Sequence, residues 1–385
     1  MNNKNQLTAK AIAAIVTLAL TVTVVFSIYS PVTAQNPRGN SVPPSPTETT
    51  AAKNPVSTSP EIPKSSLKSP PNTDKPTEVS LGFYLINIGR INQSDETLDI
   101  GGYLSATWKD PRLAFDPKAV GDTVMRYNLD KIWEPNLTIV NASSTAKRVG
   151  LELTVQPDGT VSYVELLNAT VSSDLDLKKF PFDSQTVKIV WESLSFDDRV
   201  VVFKENKTLT GLSEDSFVSL SEWKIIGTDT PITTNTFANE KKTYARYNFE
   251  IKLKRNYQFY IFKAFIPLTL ITLISWATFW IDANKAFATQ MSLGITSTLT
   301  AITFNFTLTN SLPRLPYMTL LDAYIFICYI FFFSAIMANV SLHFLLYKYE
   351  KPESNAGIVK KLRWIFPLAF ILSQVATITI FLWAK

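Results

Sequence analysis

The stretch NKAFATQMSLGITSTLTAITFNFTLTN, from Asn284 to Asn310, decides how the rest of the chain is read. Its length suits a membrane-crossing helix, for which roughly 20 residues are needed, yet one stripe of it is polar. Steps of four and three residues from Ser292 give Thr296, Leu299, Thr303 and Phe306, and steps of that size stay on one helical face. A lone helix gains nothing by showing hydroxyls to lipid, where polar groups without partners are expensive. Two readings stay open from these residues alone. Either the hydroxyls bond back to their own helix carbonyls and the face simply packs, or the face meets water.

The surrounding composition narrows the choice. A chain of 385 residues with 25 Phe, 14 Tyr and 8 Trp can bury more than one core, and its mean hydropathy of +0.09 averages a soluble part with a very apolar one. The net charge of +5 is too weakly concentrated to imply nucleic acid. Cys328 is the only cysteine, so no intrachain disulfide can form. His343 is the only histidine, which argues against a zinc site or a histidine-based triad. No cofactor or metal site is expected, and no nucleotide loop or paired acid and base points to an enzyme.

Lys4 and Lys10 precede an apolar run from Ala11 to Ile28, and Val32-Thr33-Ala34 resembles a small-residue cleavage site. Residues 1–34 therefore read as an export signal, with an uncleaved anchor as the alternative. Residues 35–77 are rich in Pro, Ser, Thr and Lys and read as a flexible linker. From Val79 the composition changes to short runs rich in β-branched residues: Leu81 to Ile88, Leu98 to Trp108, Lys147 to Val155, Val161 to Leu167, Gln185 to Trp191 and Val200 to Phe203. Turn signals such as Pro157-Asp158-Gly159 separate them. Residues 78–258 are thus expected to form an all-β, immunoglobulin-like sandwich of two sheets, closed by the run from Tyr244 to Leu253.

Four apolar segments follow: residues 259–281, 284–309, 319–346 and 364–383. Pro267 interrupts the first early. Residues 347–363 read as a short loop holding Lys348, Lys351, Lys360, Lys361 and Arg363, whereas the loop before the third segment holds only Arg314. That bias puts the longer loop in the cytoplasm and the β domain outside the cell membrane. A ring of identical subunits would bring the second segments to one axis. Ser292 and Thr296 would then line a wet section, and Leu299 and Phe306 would form apolar rings able to gate by dewetting.

With those elements in order, the chain resembles the pentameric ligand-gated ion channels, in the prokaryotic branch related to the Cys-loop receptors. Trp108-Lys-Asp110-Pro-Arg112-Leu113 fits the family pattern W-x-D-x-R-L, and Trp133-Glu-Pro135-Asn136 fits W-x-P-[DN], with Asn141 following at the family interval. Asp176-Leu-Lys-Lys-Phe180-Pro181-Phe182-Asp183-Ser-Gln185 resembles the loop that cysteines close in the eukaryotic receptors. Those cysteine positions fall on Ser173 and Val187 here. Arg255 and Pro267 match the family's arginine before, and proline within, the first span. Leu293-Gly-Ile-Thr296 resembles the pore helix of the glycine and GABA receptors, and Ser311-Leu-Pro313-Arg-Leu-Pro316 resembles the following linker of proton-activated bacterial relatives.

The resemblance implies a homopentamer in a lipid bilayer, opened by a small-molecule agonist or by protons and conducting monovalent ions. Signals would pass through Phe180, Pro181, Phe182 and Asp183 with Arg255 to the linker at Pro313 and Pro316. Asp183 and Arg255 are expected to form an ion pair whose disruption strands a buried charge, while Phe180, Pro181 and Phe182 can equally serve to plug the base of the sandwich. Of the family's aromatic box, Tyr103 and Tyr244 keep aromatic residues, but Val140 and Leu194 are aliphatic, which argues against a quaternary amine. Phe196 and Tyr247 are further candidate contributors. The inner mouth carries Ala288-Thr289-Gln290 in place of the glutamate usual in cation channels. Neutral residues there favour anions, but Asp282 and Lys285 pull in opposite directions, and the ion sign stays open. A membrane-anchored small-molecule sensor that does not conduct is the alternative; it would not require the spaced hydroxyls of the second segment.

Overall fold

A computed structural model describes residues 66–213, 222–237, 239, 241–309, 315–349 and 352–383. The proposed export signal and most of the linker lie outside the described residues. The linker's end, from Ser66, starts with a single helical turn, Ser66–Lys68, and the first strand begins at Thr77.

Twelve strands form two sheets. The seven-stranded sheet has the order β3 (Met125–Arg126), β5 (Lys147–Val155), β6 (Thr160–Ser172), β2 (Thr97–Lys109), β1 (Thr77–Asn92) and β8 (Val201–Glu205), with β9 (Gly211–Leu212) also on β1. The five-stranded sheet has the order β10 (Trp223–Asp229), β12 (Lys242–Arg255), β7 (Ser184–Ser193) and β4 (Leu137–Ile139), with β11 (Ile232–Phe237) also on β12. Alternation sets the faces. On β1, Val79, Leu81, Phe83 and Leu85 point inward, and on β12 Tyr247, Phe249, Ile251 and Leu253 do the same. The sheets meet through Phe83, whose ring lies 4.6 Å from Trp191 and 5.2 Å from Phe249. The hairpin between β5 and β6 turns at Gly159, whose φ of +80° suits glycine. A Cβ there would also stand 2.5 Å from the Asp110 carbonyl oxygen.

Strands β3, β4, β9, β10 and β11 were not distinguished in the sequence. The first four are short or lie beside loops, and every residue of β11 is exposed or half-buried, so it has no core alternation to betray it.

Below the sheets stand four long helices: α1 (Gln258–Trp280), α2 (Ala283–Thr309), α3 (Leu320–Tyr349) and α4 (Pro352–Trp383). Within α1, Ile261–Phe265 is a π-helical turn directly ahead of Ile266 and Pro267. Pro267 brings no N–H to the ladder, and the loosened turn is met by other donors: Phe265 O accepts from the Thr269 hydroxyl at 2.7 Å and the Tyr324 hydroxyl at 3.4 Å. The loop expected over 347–363 is mostly helix instead, since α3 runs to Tyr349 and α4 starts at Pro352. Proline is favourable at a helix start, where its missing N–H costs nothing.

Among the described residues, Gln258–Trp280, Leu320–Phe344 and Gly357–Trp383 are long and apolar enough to cross a membrane. Helix α2 does not reach that hydropathy because its hydroxyl-bearing residues lower it. It packs chiefly on α3 and α1; α4 likewise packs on α3 and α1.

Candidate functional site

The junction between the sheets and the helices is built around one guanidinium. Arg255 ends β12 and is buried, and its Nε and Nη2 donate to the two carboxylate oxygens of Asp183 at 2.7 and 3.0 Å. Such a forked pair fixes geometry as well as charge. Nη2 also donates to Gln93 at 3.2 Å, and Glu222 lies 3.6 Å from Nη1. The guanidinium carbon sits 4.0 Å from the Trp223 ring centre and 4.7 Å from that of Phe180. Gln185 completes the shell, donating to Asp183 Oδ2 at 2.6 Å and to the Asp176 carbonyl at 2.7 Å.

The loop from Ser173 to Val187 carries this pair into the helices. Phe180 meets Tyr260 of α1 at 4.7 Å, and Phe182 meets Tyr257 at 5.2 Å and Phe265 at 6.1 Å. Phe180 and Pro181 are buried, Phe182 half-buried. The Lys178 carbonyl accepts from Leu320 N at 2.9 Å, and the Tyr317 hydroxyl accepts from Leu177 N at 3.2 Å. Lys179 Nζ donates to the Leu382 carbonyl near the end of α4 at 3.3 Å. One loop thus touches α1, α3, α4 and the segment ahead of α3. Pro316 lies exposed in that segment, next to Tyr317; Pro313 lies outside the described residues.

Helix α2 has two unlike faces. Gln290, Gly294, Ser297 and Ala301 are buried, and a Cβ on Gly294 would come 2.9 Å from Ile336 of α3. Gln290 Nε2 donates to the carbonyls of Thr278 and Ile281 at 3.0 and 2.8 Å, and Asn339 donates to the Thr278 hydroxyl at 2.8 Å, which ties three helices together. Ser292, Thr296, Leu299, Thr303 and Phe306 all lie on the opposite, exposed face. Leu299 and Phe306 are 58 and 68% exposed, so the chain itself gives these apolar side chains little cover. The hydroxyls bond back to their own helix, Thr303 to the Leu299 carbonyl at 3.0 Å and Thr300 to that of Thr296 at 2.8 Å, and the single chain leaves the face uncovered. Near the start of α2 Ala288 and Thr289 are exposed, whereas Gln290 is not. The helix is broken there at Ala286, with φ −140° and ψ 38°.

The six residues assigned to ligand binding separate into groups. Val140 and Leu194 follow β4 and β7, are exposed, and are fixed by backbone bonds to Val190 and Asn136, both 2.9 Å. Tyr244 lies two residues beyond Arg246, which pairs with Glu192 of β7, so it continues that register toward Leu194. Phe196 packs on Trp133 at 5.6 Å. Tyr103 is exposed too, but on β2 of the other sheet. Tyr247 is corrected: it is fully buried in the core, its ring 5.9 Å from Trp191 and its hydroxyl 3.2 Å from that of Thr210. Its neighbours Arg246 and Asn248 occupy the other face of β12, and strand alternation leaves Tyr247 no way outward.

Two polar groupings escaped the sequence reading. Glu165, buried on β6, accepts from the Tyr163 hydroxyl at 2.5 Å and pairs with Arg148 Nε at 2.8 Å. Glu134 shares their field, and burial, opposed by Arg148 and helped by Glu165, pushes its carboxyl above the ordinary range. A cleft of about 260 Å³ on the seven-stranded sheet is lined by Asn87, Asp99, Lys147, Asn168 and Thr170 among others. Each grouping draws on residues far apart in sequence, and no local spacing announces it.

A β-rich binding domain seated through a buried ion pair on apolar helices is the build of a membrane receptor. Comparison with known proteins is specific. Residues 65–257 match the neurotransmitter-gated ion-channel ligand binding domain, and residues 264–366 match the neurotransmitter-gated ion-channel transmembrane region. The chain is 33% identical to a proton-gated ion channel of Gloeobacter violaceus over 306 residues, 80% of this chain and 84% of that one. It is 28% identical to the gamma-aminobutyric acid receptor subunit beta-4 of Gallus gallus over 283 residues, 71% of this chain and 56% of the receptor subunit. The chain belongs to the pentameric ligand-gated ion channel family. It is a ligand-gated ion channel with an extracellular ligand-binding domain and transmembrane helices.

Proposed function

We propose that five copies of this chain surround a pore lined by α2, and that an agonist or protons acting on the immunoglobulin-like extracellular domain open it through the Asp183–Arg255 junction. The observation that carries the reading is the division of α2 into a face buried against α3 and α1 and an opposite face presenting Ser292, Thr296, Leu299, Thr303 and Phe306. Exposed hydroxyls suit water, and rotational symmetry would place five such faces around one axis. Helix α2 then joins α1, α3 and α4 as a fourth crossing. The connection between α3 and α4 is cytoplasmic, and residues 1–34 direct export.

Within one chain Tyr103 and the trio Val140, Leu194 and Tyr244 belong to different sheets. A site using both therefore takes its halves from neighbouring copies. The trio offers one aromatic ring and two aliphatic surfaces, which favours a small ligand of mixed polarity, or protons alone, over a quaternary amine.

Single-channel current tests this. Purified full-length protein in planar bilayers, with unequal KCl across the membrane, is exposed to a range of pH and to a panel of amines and amino acids. Discrete currents are expected, and their reversal potential gives the ion sign. Because the agonist is unidentified, the Leu299→Thr protein is measured beside it, since a wetted ring should conduct without agonist. Silence of both, in correctly assembled protein, would replace the channel by a non-conducting sensor.

A further inference from the structure

We propose that Glu222 is a further positioning residue for opening: through Gln93 it holds the turn between β1 and β2 on Arg255. The consequence for opening rests on the channel reading, whereas the hold itself does not. Glu222 directly precedes β10, and Trp223, which opens that strand, pairs with Arg255 of β12. The Glu222 carbonyl accepts from Asn256 N at 2.8 Å, so its backbone is fixed one residue past Arg255.

The turn is shaped by its own residues. Asn92 Oδ1 accepts from the amides of Ser94 and Asp95 at 3.0 and 3.3 Å, and Asn92 Nδ2 donates to the Asp95 carboxylate at 2.7 Å. An asparagine that bonds the backbone just ahead of it makes a turn locally. Contacts at its two sides then set where the turn sits. Ser173 N donates to the Glu96 carbonyl at 3.0 Å, which joins the turn to the loop carrying Asp183. On the other side the Gln93 carboxamide lies between a guanidinium and a carboxylate. Its Oε1 accepts from Arg255 Nη2 at 3.2 Å, and its Nε2 donates to Glu222 Oε2 at 3.4 Å.

Two effects of Glu222 compete, and they differ in size. Direct attraction to Arg255 is the weaker. The carboxylate stands 3.6 Å from Nη1, beyond hydrogen-bond reach, and its side chain is 50% exposed, so water screens it. Asp183 already supplies the buried countercharge. Orientation of Gln93 is the stronger effect. A guanidinium offers only donors and a carboxylate only acceptors, so a carboxamide between them has one satisfied sense, oxygen to Arg255 and nitrogen to Glu222. Without Glu222 the side chain keeps one of those two bonds. Chain connectivity gives the arrangement a use. The Asp183 loop runs into β7, which ends next to Leu194. Ahead of β10 comes β9, whose Gly211 lies opposite Tyr84, the cross-strand partner of Tyr103. Each half of the candidate ligand site is thus joined along the chain to its own carboxylate at Arg255. In the proposed assembly the two halves face different neighbours, and one junction would answer to both.

The test is amide hydrogen exchange in purified full-length protein, read by mass spectrometry on peptides covering residues 92–97, with melting temperature measured beside it. Glu222→Ala should speed exchange in this turn by about fivefold, as expected for losing one hydrogen bond to a half-exposed charged acceptor, and should leave melting unchanged. Glu222→Gln keeps an acceptor for Gln93 without the charge and should stay within about twofold of wild type. In Gln93→Leu, where the turn is already loosened, adding Glu222→Ala should change nothing further. Wild-type exchange in Glu222→Ala would overturn the hold. Equal losses in Glu222→Gln and Glu222→Ala would replace orientation by direct attraction, and full additivity with Gln93→Leu would show that Glu222 does not act through Gln93; either result overturns the proposal. The role in opening is read in planar bilayers on the Leu299→Thr background, where Glu222→Ala should lower open probability and, once Gln93→Leu is present, should not. An unmoved open probability beside a loosened turn would refute that role. Silence of Leu299→Thr itself would count against the channel, and exchange would still decide whether Glu222 holds the turn.

Discussion

At the junction beneath the β domain, both carboxylate oxygens of Asp183 are bonded to Arg255, one of them also to Gln185, and aromatic rings close over the guanidinium. On the outer face of α2 the opposite holds: hydroxyls bond their own backbone while Leu299 and Phe306 stand uncovered. The first region is completed within one chain, whereas the second is left uncovered by it and, in the proposed assembly, would be completed by other copies and water. A signal path needs the one to stay intact while the other changes, so the two should respond differently to substitution.

Arg255→Ala should have the largest effect. Removing one partner of a buried ion pair costs about 3–5 kcal/mol, because Asp183 would keep a buried charge without compensation. Thermal unfolding of the purified protein should move down by many degrees, and opening should be lost in whatever assembles. The double exchange Arg255→Met/Asp183→Asn should recover much of the stability but not the opening. If Arg255→Ala melted like wild type, the junction would not be the rigid member of the comparison.

The buried side of α2 comes next. In Gly294→Val the new Cβ would stand 2.9 Å from Ile336 Cγ1 of α3, too close unless that side chain or the helix shifts. Overpacking of this kind costs about 1–3 kcal/mol and should push α2 off α3. Lower melting together with altered conductance is expected; wild-type values in both would mean that the close packing of α2 on α3 is not tight.

How much of this contrast could be read beforehand depended on whether its cause was local. The stripe on α2 follows from helical spacing and the aromatic plug at Phe180 to Phe182 lies within one compact motif, whereas the Asp183–Arg255 pair joins residues 72 apart and is expected only from the resemblance of their motifs to the family. Tyr247 shares an inward face with Phe249, Ile251 and Leu253, an alternation present in the sequence and not weighed when Tyr247 is placed beside the ligand. The cluster of Glu134, Arg148, Tyr163 and Glu165 was invisible, since strand pairing assembles it from separated segments. Helix continuing through 352–363 was missed because a charge-rich composition suits an exposed helix as well as a loop.

Leu299→Thr should leave stability within about 0.5 kcal/mol, as surface exchanges generally do, because the side chain is mostly exposed in the single chain. Its effect belongs to the assembly: a more polar ring should wet and raise open probability. Single-channel recording in bilayers checks this. Strong destabilisation with unchanged gating would make Leu299 a packing residue and remove the difference between the two faces of α2.

The smallest effect expected is at Glu134, and it separates the β domain's own acid response from that of the pore. Burial raises this carboxyl, so the folded protein holds its proton to higher pH than the unfolded chain does. Ionisation then costs the fold stability as pH rises from the ordinary carboxylate value through the raised one, and the cost is complete above it. Glu134→Gln removes that cost. Its melting temperature at pH 7 should exceed wild type by about 1 °C, the side chain being too open to water for more, and the two proteins should converge below pH 4, where both carry a neutral group. A variant that melts lower than wild type at pH 7 would show that attraction to Arg148 outweighs burial, and would make Glu134 a member of the paired cluster, as rigid in its way as Asp183.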